Sequence, residues 1–210
     1  MCGILGIKFK NNKILERKND FIELMKQLMI RGKHSFGLCY FDKEFITLKS
    51  LDPNFEEFLD KFYNSNSNSF IYHNRYSTSG DYKNMINNQP ITLEYASIAM
   101  NGVFSMKKKE EYEKEFNIKC ISENDTEIIL RLMENGINII DILKENKNIS
   151  FAGIILLKDS MIAIRNKKRP LYYFETEDYS GFISTKDTII RSNIKYTKLE
   201  WIKSFEMVKI

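Results

Sequence analysis

Apolar positions along the chain recur at two periods, and the change from one to the other outlines the elements. Residues 3–9 are almost continuously apolar and end at Lys10-Asn11-Asn12-Lys13, which predicts a buried strand closed by a turn. From Asp20 the pattern becomes helical, with Phe21, Leu24, Met25, Leu28 and Met29 on one face, Asn19 or Asp20 placed to cap, and a stop near Gly32. Residues 35–41 and 44–49 predict a hairpin about Asp42-Lys43. A short helix over 53–63, opened by Pro53, and a polar loop over 64–69 follow. Strands are expected at 70–73 and 96–100, separated by a long loop with Gly80 and Pro90, and long loops in compact domains tend to be functional. Helices fit 109–116, 126–134 and 138–146; Asp125 stands where an N-cap would. Strands return at 150–157, 160–165, 171–175, 181–185, 198–203 and 205–210. Two blocks of strands around a run of helices predict an α+β layered sandwich, not alternating βαβ units. There is no internal repeat and no glycine-rich phosphate loop.

Composition narrows the class. At 210 residues, 43% of them hydrophobic and 13% aromatic, the chain is expected to form one ordered domain with a substantial core. No run approaches ~18 consecutive apolar residues and no secretory signal opens the chain, so no membrane partner and a cytoplasmic location are expected. The net charge of +4 is mild. Lys107-Lys108-Lys109 and Lys167-Lys168-Arg169 read as solvated turns: Glu110-Glu111 follow at once and no aromatics are interleaved, so no nucleic-acid partner is expected. Three cysteines without paired spacing argue against a disulfide framework. With only His34 and His73 in the chain, no metal site is expected, and no cofactor. Cys39, mid-strand, reads as an inert buried thiol.

Cys2 is the sharper candidate. If Met1 is removed, Cys2 carries its thiol and a free α-amine on one residue, with ordinary pKa values of about 8.5 and about 8. That pairs nucleophile with base at the chain's own terminus. A cysteine at position 2 is more often incidental, so the reading depends on what accompanies it.

Six further segments accompany it: Arg31-Gly32-Lys33-His34-Ser35-Phe36-Gly37, His73-Asn74-Arg75-Tyr76-Ser77-Thr78-Ser79-Gly80, Asn88-Gln89-Pro90, Met100-Asn101-Gly102, Asn124-Asp125-Thr126-Glu127 and Arg169-Pro170-Leu171-Tyr172-Tyr173. Together with Cys2-Gly3-Ile4, and in this order, they resemble the class II glutamine amidotransferase domain, an N-terminal-nucleophile hydrolase. The resemblance implies a four-layer αββα sandwich of mostly antiparallel sheets spanning residues 2–210 as a single domain, with no synthase or acceptor domain on this chain. It implies glutaminase chemistry: Cys2 attacks the side-chain amide of glutamine, giving a γ-glutamyl thioester, glutamate and ammonia. Asn101 and the Gly102 N–H would form the oxyanion hole, Arg75 would bind the α-carboxylate, Asp125 the α-ammonium, and Thr78 would add a hydrogen bond. The implied partners are glutamine and a separate ammonia-accepting synthase or synthetase subunit.

Each residue has a plainer reading. Asn101-Gly102 is a common hairpin-turn dipeptide, Asp125 an ordinary helix cap, and Arg75 a structural ion pair, although its position after an apolar strand favours a loop-borne ligand role. Arg31 and Arg169 read as structural residues that position loops. The chain departs from the family pattern at His34, where an aspartate is expected, and at Ser79, Met100 and Met106. Two other functions compete: an amidase or γ-glutamyl hydrolase of the same fold acting on another small substrate, and a non-catalytic module retaining the shape.

Overall fold

The computed structural model describes residues 1–77, 80–145 and 148–210. In chain order these form β1 (Gly3–Phe9), α1 (Lys18–Leu28), β2 (Ser35–Asp42), β3 (Glu44–Ser50), α2 (Phe55–Tyr63), β4 (Ser69–Arg75), β5 (Ile91–Thr92), β6 (Ser97–Val103), α3 (Lys109–Phe116), α4 (Thr126–Glu134), α5 (Ile139–Glu145), β7 (Ser150–Leu156), β8 (Met161–Arg165), β9 (Tyr172–Glu175), β10 (Tyr179–Ile183), α6 (Lys186–Arg191), β11 (Lys198–Trp201) and β12 (Met207–Lys209). One sheet has the order β11-β9-β10-β1-β4-β2-β3 and the other β12-β8-β7-β6-β5. Every pairing in both is antiparallel.

Strand alternation sorts the side chains into layers. Leu5, Ile7 and Phe9 of β1 pack with Phe21 and Leu24 of α1, Phe58 and Phe62 of α2 and Ile189 of α6. On the second sheet Ile98 and Met100 of β6 pack with Ile128, Ile129 and Leu132 of α4 and Leu143 of α5. The opposite faces of the two sheets meet in a third core of Ile4, Ile71, Ala99, Ala152, Ile154, Ala163 and Phe182. The order helix, sheet, sheet, helix is the expected αββα sandwich.

Local differences from the sequence expectation have local causes. Neither Asn19 nor Asp20 caps α1: a 3-10 turn over Leu15–Arg17 leads straight into the helix, and Asp20 accepts a hydrogen bond from the Tyr179 hydroxyl at 3.3 Å. The hairpin turns on Lys43 alone, at φ 67°, with Asp42 opposite Glu44. Helix α2 begins two residues after Pro53. The two-residue β5 and the six-residue α6 were not expected, because neither is long enough to show a period.

Gly37 of β2 is where the loop before β5 lies down on the first sheet. A Cβ there would meet the Gln89 carbonyl oxygen at 2.2 Å. Gly37→Ala is expected to cost about 1–3 kcal/mol by overpacking, lowering Tm by several degrees; a melt coincident with wild type would show that this approach imposes no constraint.

Candidate active site

β1 sits between β4 and β10, and its register places Gly3 opposite Asn74. Cys2 therefore leaves the strand beside Arg75 and Tyr76, on the same face as Ile4, which is the face between the sheets. The Cys2 sulfur lies 3.4 Å from the Tyr76 N–H, which donates to it, and its thiol lies 3.6 Å from the Tyr76 carbonyl. Burial pushes the thiol above its ordinary pKa, against the pull of the Tyr76 backbone bond, the chain-terminal ammonium, Arg75 and Arg31. The half-buried thiol is less well matched to neutral pH than free-cysteine values suggest.

The neighbourhood is clamped from below. The Asn74 amide donates to the carbonyls of Leu28 and Gly32 at 2.7 and 2.8 Å, joining the end of β4 to the end of α1. Gly32 is required by close approach: a Cβ would lie 2.5 Å from the Arg75 carbonyl carbon and oxygen. That turn aims Arg31 at the terminus, where its Nε donates to the Cys2 carbonyl at 2.9 Å. Arg31 thus holds the terminal residue itself, a more direct task than positioning a loop. Arg169 does fit the structural reading: its Nε donates to the Ser150 hydroxyl, which also accepts the Val103 N–H. His34 keeps an acceptor where the family pattern has a carboxylate, since its Nδ1 accepts the Ser77 N–H at 2.9 Å. Its ring is stacked between Tyr76 and Tyr82, with centroids at 5.3 and 4.9 Å.

Arg75 is the last residue of β4, so the expectation of a loop-borne ligand is corrected: its place comes from the sheet register. The side chain is buried, donating through Nη1 to Asn88 Oδ1 at 2.6 Å and through Nη2 to the Gly80 carbonyl at 3.3 Å. Asn88 is itself fixed by donating to the Tyr82 carbonyl at 2.7 Å. Beneath Arg75 in the same layer, His73 is fully buried and neutral, its pKa pulled down to about 3 by burial and by Arg75.

Asn101 and Gly102 lie inside β6, not in a hairpin turn. Asn101 shares the inter-sheet face with Ala99 and is 1% exposed. Its Nδ2 is buried and has no hydrogen-bond partner among the described residues. An unpaired buried donor costs about 1–3 kcal/mol, and the ring nitrogens of His73 in the same layer share that condition. Gly102, at φ 154°, lets β7 come close: a Cβ would lie 1.9 Å from the Ser150 carbonyl oxygen.

Asp125 stands at the start of α4, but its carboxylate makes no capping bond. Oδ2 instead accepts the N–H groups of Phe104 and Ser105 at 2.6 and 2.9 Å, tying the helix start to the exit of β6. Asn124 takes over the local turn by accepting the Thr126 N–H at 3.1 Å. Burial raises the Asp125 pKa, opposed by those backbone bonds and by the positive charge of Arg75. Gln89 completes the frame, accepting the Met100 N–H at 2.5 Å and donating to the Thr126 hydroxyl at 2.9 Å.

Arg75 thus feels the charges of both Cys2 and Asp125, while Asn101 and Gly102 lie on β6, the strand of the second sheet that β1 and β4 face. Thr78 and Ser79 lie outside the described residues. Met100 is buried on the helix side and Met106 is 84% exposed, so neither departure alters the cluster. Cys39 is fully buried and receives the Thr47 hydroxyl at 3.3 Å. Sequence reasoning assigned no task to Asn88, Gln89 or the Tyr76 backbone; the paired amides of Asn88-Gln89 were the available signal. Among the described residues no group of three or more His, Cys, Asp or Glu is placed to hold a metal ion.

Solved structures share this architecture. A glutamine phosphoribosylpyrophosphate amidotransferase from B. subtilis, complexed with ADP and GMP, superposes with a TM-score of 0.70 at 18% identity. An allosteric regulatory enzyme of purine biosynthesis does so with a TM-score of 0.74 at 20% identity. Both matches cover 100% of this chain, but it spans only 49% and 47% of those proteins. A glutamine aminotransferase class-II domain protein from Silicibacter pomeroyi gives a TM-score of 0.60 at 11% identity, covering 100% of this chain and 94% of that one. No protein-family model matches the sequence. No curated protein matches it either. The fold is that of the class II glutamine amidotransferase domains, the N-terminal-nucleophile hydrolase sandwich.

A raised carboxyl pKa means that the folded state binds the Asp125 proton more tightly than the unfolded state, so the charge opposes folding as pH rises above the ordinary value of 3.8. Asp125→Asn keeps an oxygen for the two N–H donors and removes the charge. Its Tm is expected to exceed that of wild type at pH 7, with the gap closing as the pH falls to about 4; a variant melting several degrees lower at pH 7 would show the ionised form to be net stabilising.

Proposed function

We propose that this chain is a cytoplasmic glutaminase that hydrolyses the side-chain amide of glutamine through a Cys2 thioester and passes the ammonia to a separate synthase or synthetase. The observation that carries the reading is the buried, unpaired amide donor of Asn101 in the layer that also receives the thiol of the second residue. An unpaired donor in that layer is what stabilisation of an oxyanion requires. The fold shared with amidotransferase domains supports the same chemistry.

The small side chain of Cys2 favours removal of Met1. The freed α-amine of Cys2 takes the thiol proton and the sulfur attacks the amide carbon. Negative charge gathers on the carbonyl oxygen, where the Asn101 amide and the Gly102 N–H receive it. The C–N bond then breaks, the α-ammonium returns the proton to the departing nitrogen, and ammonia leaves. Water attacks the thioester, the C–S bond breaks, and glutamate and the thiol are released. Arg75 suits the substrate carboxylate because its planar fork pairs both oxygens, and Asn88 holds that fork in place. Asp125 pairs the α-ammonium, and its second task at Phe104 and Ser105 fixes it relative to β6. Thr78 is assigned a further hydrogen bond to substrate. Opposite charges for both ends of an amino acid favour free glutamine over a substrate lacking either group.

Steady-state glutamine hydrolysis tests the reading. Cys2→Ala abolishes turnover, Asn101→Ala lowers kcat by about 10²–10³, and Arg75→Ala chiefly raises KM. Turnover persisting in Cys2→Ala excludes this nucleophile, and an unchanged KM in Arg75→Ala excludes the carboxylate assignment.

A further inference from the structure

Lys49 has no part in the chemistry above. It projects from β3, the edge strand of the first sheet, into a cavity of about 420 Å³ bounded across the way by β5 and the start of α4. Among the described residues no carboxylate lies within ion-pair distance of its amine, whose hydrogen bond is to the Met85 carbonyl at 3.3 Å. Glu127 lines the same cavity, but its oxygens are already taken by the N–H groups of Ile121 and Ser122, the Ser122 hydroxyl and Arg131. The rim carries the exposed apolar side chains of Ile86 and Ile121. The volume is within the range of small-molecule sites, roughly 300–1,000 Å³. A half-buried cation beside apolar side chains fits an anion with an apolar body.

The cavity also touches the Arg75 clamp from behind. The Met85 carbonyl that accepts the Lys49 amine accepts the Asn88 N–H at 3.1 Å, and Asn88 Nδ2 lies 3.5 Å from the Met85 sulfur. Asn88 is the residue that holds Arg75. Drawing Lys49 toward an anion would release one of two donors on that carbonyl.

We propose that this cavity is a second ligand site, taking a small anion with an apolar body against Lys49, and that its occupation is felt at Arg75 through Met85 and Asn88. Burial, helped by Arg75 and opposed by Cys39 and Glu127, pushes the Lys49 pKa down to about 8, as expected of a cation lacking its counter-ion. The coupling, though not the binding, rests on Arg75 being the glutamine clamp.

Calorimetric titration of the full chain with phenyl phosphate, benzoate and neutral benzyl alcohol tests the site. At least one anion is expected to bind one-to-one, the tighter showing whether phosphate or carboxylate is the natural group, with benzyl alcohol at least tenfold weaker. Lys49→Met is expected to weaken anion binding at least tenfold. Ile86→Trp, which narrows the cavity without touching the amine, is expected to do the same and decides the matter if Lys49→Met does not fold. Lack of saturable anion binding, undiminished binding in both variants, or binding lost only in Arg75→Ala overturns the proposal. Saturating anion is expected to shift the glutamine KM at least threefold with kcat unchanged; a static KM despite full occupancy overturns the coupling. A chain that binds the anion at Lys49 but never hydrolyses glutamine leaves the second site standing and overturns the glutaminase reading.

Discussion

The pairing of Gly3 with Asn74 is the constraint from which the site follows. β1 pairs with β4 from Gly3 and with β10 from Leu5, so the residue just before it is placed by the start of a paired strand. Because side chains alternate along a strand, a slip of one residue would turn Cys2 and Ile4 toward the helices and Leu5 toward the second sheet. Position 3 also admits no side chain, since a Cβ would lie 2.0 Å from Asn74 Oδ1. Asn74 spends its amide on Leu28 and Gly32, which brings the Arg31 turn onto the Cys2 carbonyl. One register thus sets the sulfur beside the Tyr76 backbone, the guanidinium of Arg75 next to it, and the hold on the terminus.

The arrangement costs stability and the two outer cores offset it. Placing Arg75, Asp125 and Asn101 in the layer between sheets is unfavourable unless their polar atoms are paired. Asn88 and Gly80 serve Arg75, and Phe104 and Ser105 serve Asp125. The Asn101 amide alone of these has no partner among the described residues. The inter-sheet core around them uses small side chains, Ala99, Ala152 and Ala163, while the aromatic bulk lies under the helices, where Phe21 meets Phe9, Phe70 and Tyr179 at 4.9–5.6 Å. Small residues in the middle layer let the sheets approach closely enough for residues of β1, β4 and β6 to share a site.

Much of this could be read from the sequence because it depends on local pattern. The short apolar runs mark β1 and the 35–49 hairpin, the period-3.6 runs mark α1 and α4, and the ordered motifs point to the αββα sandwich. What the sequence misplaced depends on partners far along the chain. Asn101-Gly102 has the composition of a turn, yet the close approach of Ser150 keeps it in a strand. Arg75 has the look of a loop residue because the apolar run ends before it, while its pairing with Ser35 extends β4. Asp125 has the position of a cap, but the nearby N–H groups of Phe104 and Ser105, twenty-odd positions away in sequence, claim its carboxylate. His34 departs from the family pattern in residue type yet keeps the acceptor function, an equivalence that only the Ser77 bond reveals.

The most direct measurement of the central claim is mass spectrometry of the intact chain after reaction with a diazoketone analogue of glutamine. The predicted result is a single adduct on a chain lacking Met1, mapped to Cys2, with Cys39 and Cys120 unmodified. An adduct on either buried cysteine, or a fully labelled chain that still carries Met1, would contradict the assignment of Cys2 as a nucleophile activated by its own amine.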